Sequence, residues 1–292
     1  MTTEIRAFAE AVCEELKGMV TNGEQISINE IKKSNDIIKT GIIIRNPAVN
    51  ISPTIYIEDI YEGRSIREAA EEVYRIYIKN QVELDFDISS ITDFEKAKPF
   101  LRAKLLNREL NQNYLKDIPY VEFEDLAIVA YVQIEAFNTL TESASVTINK
   151  NILSLWNVDI KDVVDIAVSN GFEETTIKGM GVILGFRSEE DDDDDEQIYI
   201  IKRGDNGCNG AIGILDTEKI KKFCERKNIE QVVIVPSSVH ECLLLPNEAG
   251  MTVEDIIAMI TEVNATSVAE NEILSNHPYF YNVKSGFSVK AA

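Results

Sequence analysis

Val232-Val233-Ile234-Val235-Pro236-Ser237-Ser238-Val239-His240-Glu241-Cys242-Leu243-Leu244-Leu245-Pro246 is the stretch on which the fold turns. It contains two apolar runs, Val232 to Val235 and Val239 to Leu245, joined through Pro236-Ser237-Ser238. Both runs are too short for an ordinary helix, and three of the first four residues are valine, so the pattern predicts two buried strands. The Pro-Ser-Ser step is expected to turn the chain and set the register between them. The polar residues enclosed by these strands are Ser237, Ser238, His240, Glu241 and Cys242.

Ser237, Ser238, His240 and Glu241 are the candidate catalytic residues. His240-Glu241 opens like the zinc motif H-E-x-x-H, but Leu244 stands where the second histidine belongs, so metalloprotease chemistry is excluded. No G-x-S-x-G elbow occurs to present a serine nucleophile. In a strand, successive side chains face opposite ways, which groups His240 with Cys242 and Leu244, and Glu241 with Val239 and Leu243. The two converge only if the turn runs through them. Two readings follow for this cluster. In the first, His240 is a fixed residue satisfied by a backbone partner. In the second, the serines, His240 and Glu241 line the pocket of a hydrolase-type or transferase-type enzyme.

Upstream, Ile5, Phe8, Ala9, Val12, Cys13, Leu16 and Val20 recur at helical spacing and predict an amphipathic first helix. Ile26 to Ile31 and Ile37 to Ile44, around Ser34-Asn35-Asp36, read as a β-hairpin. Ser65 and Glu68 form a capping box for a helix with Ile66, Ala69, Ala70, Val73 and Tyr77 inward. Phe94 to Leu106 fits helix or strand. Leu126 to Ile134 is a central strand, with Ala144 to Ile148 as its partner, and Asp159 to Val168 is a helix after Trp156. Gly179 to Phe186, Gln197 to Ile201 and Ala211 to Leu215 read as strands. Asp216 is the expected N-cap of a helix over Thr217 to Lys227, and Thr252 begins a helix carrying Ile256, Ile257, Met259, Ile260 and Val263.

The expectation is therefore an α+β protein: a helix-plus-β-hairpin N-terminal region, then a larger, mostly antiparallel sheet layered with helices. The polar, asparagine-rich stretch from Asn107 to Asp117 places the domain boundary near 110, giving regions 1–110 and 111–292.

The charge restricts function. With 29 basic against 50 acidic residues the net charge is −21, which repels nucleic acid and anionic membranes. Eight of the carboxylates lie consecutively, Glu189 to Glu196, but without the alternate ligand spacing and glycine of a calcium loop, so a solvated hairpin loop is expected and no metal. Gly204, Gly207, Gly210 and Gly213 match neither the dinucleotide nor the P-loop fingerprint, which leaves a flexible loop and no cofactor. Cys13, Cys208, Cys224 and Cys242 form no CxxC pair, and the start lacks a signal-peptide pattern. Free thiols and a cytoplasmic location are the expectation.

Ser52-Pro53-Thr54-Ile55-Tyr56-Ile57-Glu58, Asp125-Leu126-Ala127, Pro236 to Glu241, Glu262-Val263-Asn264-Ala265-Thr266 and Tyr279-Phe280-Tyr281 together resemble a bacterial domain-of-unknown-function family, family 5688, of anaerobic gut bacteria. The resemblance covers nearly the whole chain. It implies an intracellular bacterial protein and carries no activity or ligand. With no complete catalytic or cofactor motif present, the sequence favours a non-catalytic binding module with a protein or small-molecule partner, and the enzyme reading is the alternative.

Overall fold

The computed structural model describes residues 3–21, 23–47, 52–79, 87–134, 144–172, 174–188, 196–203, 208–246 and 251–289. The chain divides into two compact units, Met1–Ile88 and Ser89–Ala292.

In the first unit, α1 (Thr3–Leu16) precedes the antiparallel hairpin β1 (Gln25–Lys32) and β2 (Ile38–Arg45). Asn35 and Asp36 turn the hairpin in the left-handed region, which short polar side chains tolerate. A third strand, β3 (Thr54–Tyr56), pairs with β2; α2 (Glu58–Tyr61) and α3 (Ile66–Lys79) follow. The Ser65–Glu68 capping box is present, with the Glu68 carboxylate accepting from the Ser65 N–H at 2.8 Å. Ala69, Ala70, Val73 and Tyr77 are buried with Val12, Leu16, Ile42 and Ile44, whereas Ile66, at the first turn of α3, is exposed.

The second unit begins with two single-turn helices, α4 (Ser89–Thr92) and α5 (Phe94–Ala97), and then β4 (Leu101–Asn107). Phe94 to Leu106 is thus helix first and strand second. β5 (Val121–Phe123) and β7 (Ala144–Thr147) both pair with the central β6 (Leu126–Ile134), as does β4. The pairing of Leu101–Asn107 with residues 126–132 puts the expected boundary near 110 inside this unit. Asn107 to Asp117 is a connection between paired strands, and its asparagines are structural: Asn111 is buried and donates to the Asn107 carbonyl at 2.7 Å.

Next come α6 (Lys150–Trp156) and α7 (Ile160–Phe172), the latter packed on β4 and β6 through Val163, Val164 and Ala167. β8 (Thr175–Gly179), α8 (Met180–Ile183), β9 (Tyr199–Arg203), α9 (Thr217–Lys227), β10 (Gln231–Val235), β11 (Cys242–Leu245), α10 (Val253–Thr266), β12 (Tyr279–Asn282) and β13 (Gly286–Ser288) complete the chain. Six of these strands form one antiparallel sheet in the order β13-β12-β10-β11-β9-β8. Asp216 caps α9 by accepting from Lys219 N–H, and Thr252 with Asp255 makes a capping box for α10.

β10 and β11 are neighbours, as their sequence predicts, paired Val233↔Leu245, Ile234↔Leu244 and Val235↔Leu243. The apolar run of β10 is unbroken because both its faces are covered. Val232 and Ile234 join the core that includes β4, β6, α7 and α9, while Val233 and Val235 pack under Ile256 and Ile260 of α10. The fold is α+β with antiparallel sheets layered by helices.

Several local expectations are corrected. Gly179 to Phe186 is the end of β8 and the one-turn α8. Ala211 to Leu215 lies in a buried 3-10 turn, Gly210–Leu215; a short apolar run fits a buried helical turn as well as a strand, and periodicity does not separate them. The second apolar run of the opening stretch becomes a strand only from Cys242, since Val239 to Glu241 belong to the turn. Ile257 and Val263 of α10 are exposed, the buried stripe being Ile256, Ile260 and Asn264.

Candidate functional site

The turn between β10 and β11 is built from its own polar groups. The Ser237 hydroxyl donates to the Glu241 carbonyl at 2.9 Å, and the Ser238 N–H donates to the same oxygen at 3.3 Å. The Ser238 hydroxyl oxygen accepts from the His240 N–H at 3.0 Å. Such side-chain-to-backbone bonds are the usual work of serine in turns. Glu241 contributes its carbonyl here; its charge lies near Cys242, whose thiol is pushed far up, chiefly by burial.

Two other segments clamp this turn. The Val239 N–H donates to the Glu272 carbonyl at 2.9 Å, and the Val239 carbonyl accepts from the Ala211 N–H at 3.2 Å. Asn209, in the left-handed region at φ 56°, aims its backbone N–H at His240 Nδ1, 3.1 Å away. The next residue, Gly210, presses its backbone against the turn: a Cβ there would stand 2.3 Å from the His240 carbonyl oxygen and 2.9 Å from the Arg203 nitrogen. His240 Nε2 lies 3.4 Å from a Glu272 carboxylate oxygen, both side chains being a little over one-third exposed.

These contacts fix the chemistry of the ring. An Nδ1 that accepts a backbone N–H carries no proton, so the neutral imidazole holds its proton on Nε2, facing Glu272. A general base needs a free lone pair within reach of its proton donor. His240 has none free, and neither serine hydroxyl points to it as donor.

A second polar cluster was missed by reasoning from sequence. His277 Nε2 lies 2.9 Å from Asp125 Oδ2, and its Nδ1 is 3.1 Å from the Pro278 carbonyl oxygen. The Tyr279 hydroxyl donates to Asp125 Oδ1 at 2.9 Å, and the tyrosine is fully buried. With acceptors at both ring nitrogens, the geometry suits an imidazolium that donates twice. The Asp125 hydrogen bond raises the His277 pKa above its ordinary 6.5, against the opposing effect of burial. Burial pushes the Asp125 carboxyl up, but the bonds from His277 and Tyr279 outweigh it and hold the group below its ordinary 3.8. Asn264 and Asn107 continue the network, donating to the Ser275 and Leu274 carbonyls at 2.9 and 3.1 Å. Asp125 sits on the β5–β6 turn and Tyr279 in β12, so the cluster ties the two sheets of this unit together. The sequence signal was faint: Asp125-Leu126-Ala127 and Tyr279-Phe280-Tyr281 are both among the motifs carrying the family resemblance, and His277 stands two residues before Tyr279.

Asp125, Asn264 and the Pro236–Glu241 turn all fall within residues 5–283, the span that matches the model of a family of unknown function, DUF5688. The chain belongs to the DUF5688 family. No curated protein and no solved structure matches it. In this DUF5688 chain the four candidate residues Ser237, Ser238, His240 and Glu241 do lie in one turn, but their bonds run to backbone groups and to Glu272. Among the described residues, no group of three His, Cys, Asp or Glu side chains is placed to hold a metal ion, and no helix is long and apolar enough to cross a membrane. Burial pushes the Cys13 and Cys224 thiols up to about 11, far from the thiolate that nucleophilic chemistry needs.

Proposed function

We propose that this chain is a non-catalytic binding or protein-interaction module of the bacterial cytoplasm, and that Ser237, Ser238, His240 and Glu241 build its fold rather than carry a reaction. The observation that carries this reading is the Asn209 N–H on His240 Nδ1 at 3.1 Å, which occupies the lone pair a general base would use. Glu272 does supply the carboxylate that an enzyme reading asks for, 3.4 Å from Nε2. The missing part is a nucleophile, since the Ser237 hydroxyl is engaged by Glu241 and the Ser238 hydroxyl by His240's own N–H. The net charge of −21 favours a protein or small-molecule partner over nucleic acid or an anionic membrane. Buried thiols at Cys13, Cys224 and Cys242 fit a reducing compartment.

A fluorophosphonate probe, which traps activated serines, tests the reading directly. No stoichiometric labelling of Ser237 or Ser238 is expected. His240→Ala should fold but melt lower, because it orphans the Asn209 N–H at a cost of about 1–3 kcal/mol. Full labelling that disappears in His240→Ala, with an unchanged melting temperature, would establish the enzyme instead.

A further inference from the structure

Three basic side chains gather where α7 ends and β8 begins. Arg203 leaves the last position of β9 and lies against the final turn of α7, its side chain only 7% exposed. Gly171 makes room for it: a Cβ there would stand 2.9 Å from Arg203 Cδ and 3.0 Å from its Nε and Nη1. Glycine inside a helix is normally unfavourable, and here it opens the slot that a guanidinium fills. Arg102 of β4, 18% exposed, reaches the same point. Both guanidiniums meet the Glu174 carboxylate: Arg203 Nε donates to Oε2 at 3.1 Å, and Arg102 Nη2 lies 3.7 Å from Oε1. Lys219 Nζ donates to the Phe172 and Thr175 carbonyls, on either side of residue 174 in the chain, with an Asp216 oxygen 3.8 Å away.

One carboxylate does not satisfy this cradle. Arg203 Nη1 and Arg102 Nε are buried and have no hydrogen-bond acceptor among the described residues. Arg102 Nη1, by contrast, is spent on the Pro99 and Leu101 carbonyls, at 2.9 Å each. A buried guanidinium N–H without an acceptor is costly, so the cluster is short of oxygen. Glu174 is its half-exposed member, at 44%, and can yield its place to an incoming anion without unpacking the arginines. A carboxylate brings two oxygens and one charge, whereas a phosphoryl group brings three oxygens and nearly two charges. The planar fork of arginine matches adjacent phosphoryl oxygens.

We infer that Arg102 and Arg203 form a phosphoryl-binding site, occupied by the Glu174 carboxylate until a free phosphate or a small phosphomonoester displaces it. The net charge of −21 does not forbid this ligand. At about 0.15 M salt, charges beyond roughly 8 Å are screened, and within the site two guanidiniums and an ammonium outnumber Glu174 and Asp216. A long phosphate polymer would still meet the repelling surface around the site, which keeps the ligand small. No side chain of the Ser237–Glu241 turn takes part. The inference rests on the binding-module reading and names its ligand.

Equilibrium dialysis of the full chain against radiolabelled inorganic phosphate, at about 0.15 M sodium chloride, tests the site. The parent should bind one phosphate per chain. Arg102→Gln should weaken binding at least tenfold, and Glu174→Gln, which removes the internal competitor, should tighten it at least tenfold. Both side chains reach solvent, so both variants should fold, and melting curves check this; Glu174→Gln, the more exposed site, carries the test if Arg102→Gln does not fold. Methyl phosphate that competes as well as inorganic phosphate supports the site and identifies a phosphomonoester; competition by inorganic phosphate alone supports it and identifies the free ion. Absence of saturable binding to the parent overturns the site, as does affinity that Arg102→Gln leaves unchanged or that Glu174→Gln fails to raise. Acetate that competes as well as phosphate overturns the phosphoryl assignment, since a carboxylate would then suffice. Fluorophosphonate labelling is independent of these outcomes: an unlabelled chain that ignores phosphate loses this site alone.

Discussion

Gly210→Ala is expected to lower the melting temperature of the second unit by about 6–12 °C, taking about 3 kcal/mol for overpacking and 2–4 °C per kcal/mol at this size. The new methyl would stand 2.3 Å from the His240 carbonyl oxygen and 2.9 Å from the Arg203 nitrogen. Both are backbone atoms, held by the β10–β11 turn and the end of β9, so neither can swing aside as a flexible side chain would. The 3-10 turn Gly210–Leu215 must then withdraw from β9, breaking the Ala211 N–H bond to Val239 and the Asn209 N–H bond to His240. Gly213→Ala is the internal comparison. Its nearest neighbours are the Thr175 methyl at 3.0 Å and Ile201 Cγ1 at 3.2 Å, side-chain atoms that can give, so its cost should be smaller. Equal melts for the parent and Gly210→Ala would show that the turn is not clamped as described.

Asp125→Ala is expected to cost on the order of 3 kcal/mol near pH 5.5, because it removes the acceptor of two bonds, one from an imidazolium and one from a fully buried tyrosine. The cost depends on pH, and its sign follows from the two shifts. His277 has a folded pKa raised above 6.5, so its contribution is complete below that value and is lost as pH rises through the raised one. Asp125 has a folded pKa lowered below 3.8, so its contribution is complete above 3.8 and is lost as pH falls through the lowered one. The gap between parent and variant should be widest from pH 3.8 to 6.5 and should narrow on both sides. Urea melts of both proteins across this range measure it. A gap that stays constant from acid to alkaline pH would mean that the Asp125–His277 pair is not ionised in the folded chain.

Much of the fold was legible because its signals are local. The Ser65–Glu68 cap, the helix starts at Asp216 and Thr252, and the helical spacing of Ala9, Val12 and Leu16 each lie within a few turns of chain. β10 was legible because four consecutive β-branched residues buried on both faces admit few other structures. The failures share a cause. Ala211 to Leu215 is apolar and buried, and nothing in five residues distinguishes a strand from a tight turn packed under one. The asparagines of 107–117 resemble a linker, but Asn111 and Asn107 spend their amides on the Asn107 and Leu274 carbonyls inside the unit.

The site divides the same way. A backbone partner for His240 was foreseeable from its place at a turn, but Asn209 lies 31 residues away and no spacing rule reaches it. Asp125 is 152 residues from His277 and 154 from Tyr279, so their meeting depends on two sheets closing on one core. No local pattern encodes it.

The central claim, that His240 is a fixed part of the turn, is most directly tested by the protonation of its ring nitrogens in a long-range ¹⁵N–¹H spectrum. The chain has two histidines, so His277→Gln assigns the remaining signals without ambiguity. At a pH where His240 is neutral, the account predicts a single Nε2–H tautomer, with Nδ1 carrying the nitrogen shift of an unprotonated acceptor. An Nδ1–H tautomer, or rapid averaging between the two, would place the lone pair at the disposal of a substrate and contradict it.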